Sequence, residues 1–140
     1  MKVTDTVDAP VAFFYQRIID SVLYDINHEN GQTLTPAMLQ GYEYRKSMGP
    51  RGSIRIKITK IVQNQTYAFD SFAGPDTYHT RYELRPTEDG RTEVSYQEDV
   101  DYAETMKKRN SQLMMILIGW SKKRRMKKMW AQIAASQDQI

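Results

Sequence analysis

Between Tyr42 and Tyr102 the sequence repeats with a period of two, interrupted by short turn signals. Few chain paths satisfy that pattern. The strand candidates are Tyr42–Met48, Ser53–Val62, Thr66–Ala73, Thr77–Arg85 and Thr92–Tyr102. Gly49-Pro50-Arg51-Gly52, Gln63-Asn64-Gln65, Gly74-Pro75-Asp76 and Glu88-Asp89-Gly90 separate them. Connections this short force neighbouring strands antiparallel. Asp89-Gly90 suits a type I′ hairpin turn, whose two central residues need positive φ. Met1–Val7 alternates Val3 and Val7 with polar residues and adds a first strand, giving about six strands in all.

The alternation also assigns faces. Ile54, Ile56 and Ile58 oppose Arg55, Lys57 and Thr59. Tyr78, Thr80, Tyr82 and Leu84 oppose His79, Arg81, Glu83 and Arg85. Val94, Tyr96, Glu98, Val100 and Tyr102 share the inward face of the last strand. Asp70 falls outward, alternate to Tyr67 and Phe69. An antiparallel sheet with one wet face needs a cover for the other.

Two segments can supply the cover. Near the start, Asp8-Ala9-Pro10 reads as a helix start, with Asp8 accepting from first-turn amides and Pro10 losing no hydrogen bond there. Apolar residues follow through Ile19, and Asp20-Ser21 can cap a second short helix through Ile26, so one helix or two are both compatible with the periodicity. Thr35–Leu39 suits a single helical turn. At the other end, Ser111–Ser136 is the longest clearly helical stretch. Met115, Gly119, Lys122, Met126, Met129, Trp130 and Ile133 share one side of it, and most of the cations Lys123, Arg124, Arg125, Lys127 and Lys128 fall elsewhere. The stripe is either ordinary core or the wall of a pocket, for which polarizable Met is well suited.

Bulk properties narrow the class. A chain of 140 residues with a net charge of +3 and no cysteine has the composition of one soluble globular domain, residues 1–140. Disulfides, thiolate nucleophiles and cysteine metal sites are excluded, and a reducing cytoplasm fits. The first residues lack the apolar segment of a secretory signal. The longest apolar run, Leu113–Ile118, is far short of the ~20 residues a membrane span needs. That run covers nearly all sides of the helix, so part of it must meet either the N-terminal helices or a second copy in a homodimer. His28 reads as part of a polar loop and His79 falls on the wet sheet face, and two histidines so placed do not make a metal site or a triad. No glycine-rich phosphate loop is present.

The order of elements resembles the START-like, or SRPBCC, superfamily and its helix-grip fold. Val7-Asp8-Ala9-Pro10-Val11-Ala12-Phe13-Phe14 is similar to that superfamily's opening, and Gly119-Trp120 followed by Met126, Met129 and Ile133 to its closing helix. Leu39-Gln40-Gly41-Tyr42-Glu43-Tyr44-Arg45-Lys46 resembles an uncharacterised bacterial subfamily, a domain of unknown function. The resemblance implies an α+β fold: a curved antiparallel sheet, one or two short N-terminal helices, and a long C-terminal helix over the concave face. It also implies an apolar cavity between sheet and helix. Members bind lipids, sterols, hormones or polyketides; some are cyclases or chaperone co-activators. The cyclases' acid and base residues find no matching motif here.

The expected function is non-catalytic binding of a small apolar or amphipathic molecule, with no cofactor. Ile56, Tyr82, Tyr96, Glu98, Met115, Gly119, Lys122, Met126 and Met129 are the cavity candidates. Glu98 and Lys122 each interrupt an apolar face, as a pair or a polar anchor would. The second reading is a cyclase- or hydrolase-type enzyme with Glu98 as a general base of raised pKa. The third is an interaction module whose cavity is filled by its own side chains. The basic run Lys122–Lys128 reads as a solvated helix back, with a nucleic acid or other anionic surface as its alternative partner.

Overall fold

A computed structural model describes residues 1–103 and 122–139. Six strands form one antiparallel sheet: β1 (Lys2–Val7), β2 (Glu43–Ser47), β3 (Ser53–Val62), β4 (Thr66–Ala73), β5 (Asp76–Pro86) and β6 (Thr92–Asp101). Their order is β1-β6-β5-β4-β3-β2, a meander from β2 to β6 with β1 added beyond β6. Helix α1 (Val11–Asn30) follows β1, and helix α2, residues 122–135, lies at the C-terminal end. The chain is thus of the α+β class, a curved open sheet with a C-terminal helix on its inner face. No helix among the described residues is long and apolar enough to cross a membrane.

The turns show why the strands stop where they do. Ala73 pairs with Asp76 across a two-residue loop whose first residue, Gly74, has φ 60. A type II′ turn reserves that position for glycine. The β5–β6 hairpin departs from the expected type I′ turn. Only Gly90 has positive φ there (82), and its amide bonds to the Thr87 carbonyl at 3.2 Å. Thr87 in turn receives the Arg91 amide on its side chain at 3.0 Å. The loop is therefore a type I turn closed by a left-handed glycine, which spares Asp89 a positive φ.

α1 is one continuous helix, not two. Ser21 continues it because Ile19, Val22 and Ile26 carry the buried stripe straight through the Asp20-Ser21 pair. Asp8 does not cap it. Pro10 occupies the N-cap position and its carbonyl receives the Phe14 amide at 3.1 Å, while the Asp8 carbonyl accepts from Gln137. At the other end Gly31 closes the helix with φ 63.

The core lies between the inner sheet face and the two helices. Phe14, Ile19 and Ile26 of α1 and Met126, Trp130 and Ala134 of α2 pack with Val7, Ile58, Leu84 and Val94. On α2 the cations Lys123, Arg124, Arg125, Lys127 and Lys128 are all exposed. The outer sheet face carries ion pairs such as Arg55–Glu43 at 2.5 Å and Arg85–Glu93 at 3.0 Å. Exposed pairs of this kind contribute little each. His79 is placed differently, with Nδ1 2.7 Å from Asp70 and Nε2 2.8 Å from Asp101. Hydrogen bonds to Asp101 and Asp70 raise its pKa above the ordinary 6.5, more than desolvation lowers it.

Two measurements follow from this arrangement. Ile58→Ala should lower the unfolding free energy by about 2–5 kcal/mol in urea denaturation. Exposed Lys60→Ala should stay within about 0.5 kcal/mol of the parent. Second, the His79 contribution is fully present below pH 6.5, its unfolded value, and is lost as pH rises through the higher folded pKa. His79→Ala should remove that decline from a stability-versus-pH profile; an unchanged profile would show that the carboxylates do not hold the imidazolium.

Candidate functional site

Exposure along the inner sheet face rises from one end to the other. Leu84 and Val94, opposite each other in β5 and β6, are buried, as is Ile58 in β3. Toward the far ends of the same strands, Tyr78, Val100 and Ile54 are only half-buried. The helices cover the first end closely. There Thr92 Oγ1 donates to the Ala9 carbonyl at 2.8 Å, tying β6 to the start of α1. At the other end a cavity of about 950 Å³ remains between sheet, α1 and α2.

Among the described residues, its apolar lining comes mainly from Ile54, Ile56, Tyr67, Phe69, Tyr82 and Tyr96 on the sheet, Ile18 and Val22 on α1, and Met129 and Ile133 on α2. The aromatic rings form a connected wall. Tyr67 and Phe69 are 5.1 Å apart, Tyr67 and Tyr82 6.2 Å, and Tyr82 meets Tyr96 edge-on at 5.0 Å. Trp130 sits behind this wall, edge-on to Tyr82 at 6.3 Å. Burial pushes the Tyr82 and Tyr44 hydroxyls up to about 12. Burial likewise raises Tyr67 well above its ordinary value. All three are therefore neutral donors at physiological pH. The indole of Trp130 offsets part of the Tyr82 rise without reaching hydrogen-bond geometry, and its Nε1 has no hydrogen-bond partner among the described residues.

The polar groups fall in two places. Glu98 points inward because it shares the face of Tyr96 and sits opposite Thr80. Its carboxylate accepts from Lys122 Nζ at 2.7 Å and from the Tyr96 hydroxyl. The Glu98 side chain is 9% exposed and that of Lys122 37%. The pair thus joins β6 to α2 at the cavity wall. The sequence reading of Glu98 as a carboxyl raised by burial is corrected by this geometry. Burial does push it up, but the hydrogen bonds from Lys122 and Tyr96 and the Lys122 charge outweigh burial and hold it below its ordinary value. The second polar place is on α1, where Arg17, Ser21 and Asp25 line the cavity and Lys46 of β2 pairs with Asp25 at 3.0 Å.

Of the residues singled out from sequence, Ile56, Tyr82, Tyr96, Glu98, Lys122 and Met129 line the cavity. Met129 is at the rim, 43% exposed. Met126 is buried in the core on the stripe of Trp130, away from the cavity lining. Met115, Gly119 and the run Leu113–Ile118 lie outside the described residues. Sequence reasoning missed Tyr44, Tyr67, Phe69 and the whole α1 wall. The alternation of Tyr67 and Phe69 against Asp70 was a usable signal for the sheet residues. Nothing in the sequence marks which stripe of α1 meets the void. No group of three or more His, Asp or Glu among the described residues is arranged to hold a metal ion.

The model of a family described as a domain of unknown function, DUF3284, matches residues 1–119. The chain belongs to this family. No curated protein matches it. Solved structures share its fold. Protein SA2116 of unknown function from Staphylococcus aureus aligns with a TM-score of 0.68 at 10% identity, over 100% of this chain and 95% of its own. Protein MLL2253 from Mesorhizobium loti aligns at 0.64 and 14% identity, over 95% and 94%. DynU16, from the dynemicin biosynthetic locus, aligns at 0.62 and 16% identity over 99% of this chain, which spans 46% of DynU16. At these identities the likeness is one of fold.

The Glu98–Lys122 pair makes a prediction about pH. In the parent, Glu98 binds fewer protons folded than unfolded, so its contribution is present above pH 4.5 and is lost as pH falls through the lower folded pKa. Lys122→Met leaves burial as the leading influence. The Glu98 pKa should then rise relative to the parent in a carboxyl carbon NMR titration, and the stability that Glu98 contributes above its folded pKa should shrink. A Glu98 resonance that titrates alike in both proteins would mean that the pair does not form in solution.

Proposed function

We propose that this DUF3284 chain is one START-like, helix-grip domain that binds a small apolar or amphipathic molecule without turning it over. The observation that carries the reading is the cavity of about 950 Å³ with a mainly aromatic and aliphatic lining and a few fixed polar groups. Ligand sites of drug-sized molecules have this size and this mix of apolar wall and sparse polar anchors. Among the described residues, a space this large speaks against the reading in which the protein fills its own cavity. Binding energy would come from burial against Ile56, Tyr82, Tyr96 and Met129, and orientation from Lys122, Glu98 and the neutral tyrosine hydroxyls. Met115 and Gly119 remain candidates of the same site. The cysteine-free composition fits a reducing cytoplasm.

The enzyme reading is the weaker of the two. A general base works best with a pKa near the working pH. Glu98 is committed to Lys122 and Tyr96 and is held below its ordinary value. That arrangement favours a structural and orienting role over proton abstraction.

Titration with the neutral fluorescent probe N-phenyl-1-naphthylamine tests the proposal. The parent should bind it with enhanced, blue-shifted emission. Ser71 lines the cavity and is half-buried, so Ser71→Trp should fill part of the space. The variant should keep its circular dichroism and lose at least about tenfold in probe affinity, which corresponds to 1.4 kcal/mol. A parent that binds no probe, or a Trp variant that binds it equally well, would overturn the cavity reading.

A further inference from the structure

We infer that the cavity's ligand is a monoanionic amphiphile, a carboxylate on an apolar body, whose head group is held by Arg17. This deepens the binding reading above and rests on it. Among the described residues, three cations line the cavity, Arg17, Lys46 and Lys122, and two carboxylates, Asp25 and Glu98. Lys46 pairs with Asp25 at 3.0 Å and Lys122 with Glu98 at 2.7 Å. Arg17 is left over. No carboxylate among the described residues lies within ion-pair distance of its guanidinium, which instead stacks 5.2 Å above the Phe13 ring.

The local geometry keeps it so. Asp20 is one turn further along α1, but it accepts from Gln16 Nε2 at 2.8 Å. Asp25 is on the same stripe of the helix, eight residues on, a rise of about 12 Å. It also serves Lys46 already. Arg17 is half-buried, so part of its hydration is gone without a carboxylate to replace it. A guanidinium offers a planar fork of donors that fits a carboxylate with two parallel hydrogen bonds. Ser21, one turn on and also lining the cavity, adds a hydroxyl on the same stripe. Ile18 and Val22 flank this polar stripe, with the aromatic sheet wall across the space. A single negative charge beside Arg17 with an apolar tail along that wall balances the lining and uses both of its chemistries.

Displacement of N-phenyl-1-naphthylamine at neutral pH by decanoate and by decanol tests the inference. The parent should prefer decanoate by at least about tenfold. Arg17→Gln should lose the preference, read as the ratio of decanoate to decanol displacement within that variant. Arg17→Lys should keep part of it, since it retains the charge without the fork. Lys60→Gln, which removes a cation from an exposed position outside the cavity, should keep all of it. Equal displacement by decanoate and decanol in the parent would overturn the inference while leaving the cavity reading intact. So would an undiminished preference in Arg17→Gln. A parent that fails to bind the probe would remove the cavity reading and this inference together.

Discussion

The inner face of the sheet must be taken out of water, and two helices from opposite ends of the chain share that task. The apolar rows of β3, β5 and β6 set the requirement. Phe14, Ile19 and Ile26 from α1 and Met126, Trp130 and Ala134 from α2 meet it over part of the face. Every other feature of the molecule depends on where that cover is tight and where it is loose. The tight end holds Val7, Leu84 and Val94, all nearly inaccessible. Burial of such side chains gives roughly 1.5–3 kcal/mol each relative to exposure. The loose end leaves Ile54, Phe69 and Tyr78 half-covered and creates the cavity.

A charge at the boundary between those ends is at first sight a liability. Burying Glu98 alone would cost several kcal/mol. Its position on the inward row of β6 is fixed by the register that also buries Val94 and Tyr96. Lys122 and the Tyr96 hydroxyl offset the penalty with two hydrogen bonds to the same carboxylate. Buried pairs of this kind are weak evidence for stability but set geometry well. Here the pair fixes where α2 lies on β6, and so it helps to fix the width of the cavity. Its partial exposure on the lysine side keeps one ammonium face near the opening.

The sheet was legible in the sequence because a period of two survives any tertiary context that wets one face only. β3 and β4 have the bounds read from the sequence, Ser53–Val62 and Thr66–Ala73. The breaks in the apolar rows at Glu98 and Lys122 were legible too, as anomalies that needed partners. What failed was local chemistry with more than one solution. Asp89-Gly90 can make a type I′ turn, but a type I turn with a left-handed Gly90 asks less of Asp89. Asp20-Ser21 can start a helix, but an unbroken apolar stripe through Val22 overrides a cap. The α1 wall of the cavity was illegible for a different reason. Helical periodicity gives a stripe and not the direction it faces, so Arg17, Ser21 and Asp25 join the cavity lining only once α1 is docked on β2 and β5.

The void itself is written in residue size more than in missing cover. Along β4 the inward row runs Tyr67, Phe69, Ser71, Ala73, large to small toward the open end. Gly74 follows at the turn. Interiors pack to the density of organic crystals, and larger side chains at Ser71 and Ala73 would take up part of this space. Continuing the Tyr-Phe series at these two positions would narrow the space. The taper along β4, with the small Ser21 opposite it on α1, instead keeps a space open whose walls are already shaped by rigid elements. Space held open by strands and helices needs little rearrangement to receive a molecule, which is what the proposed binding function would require.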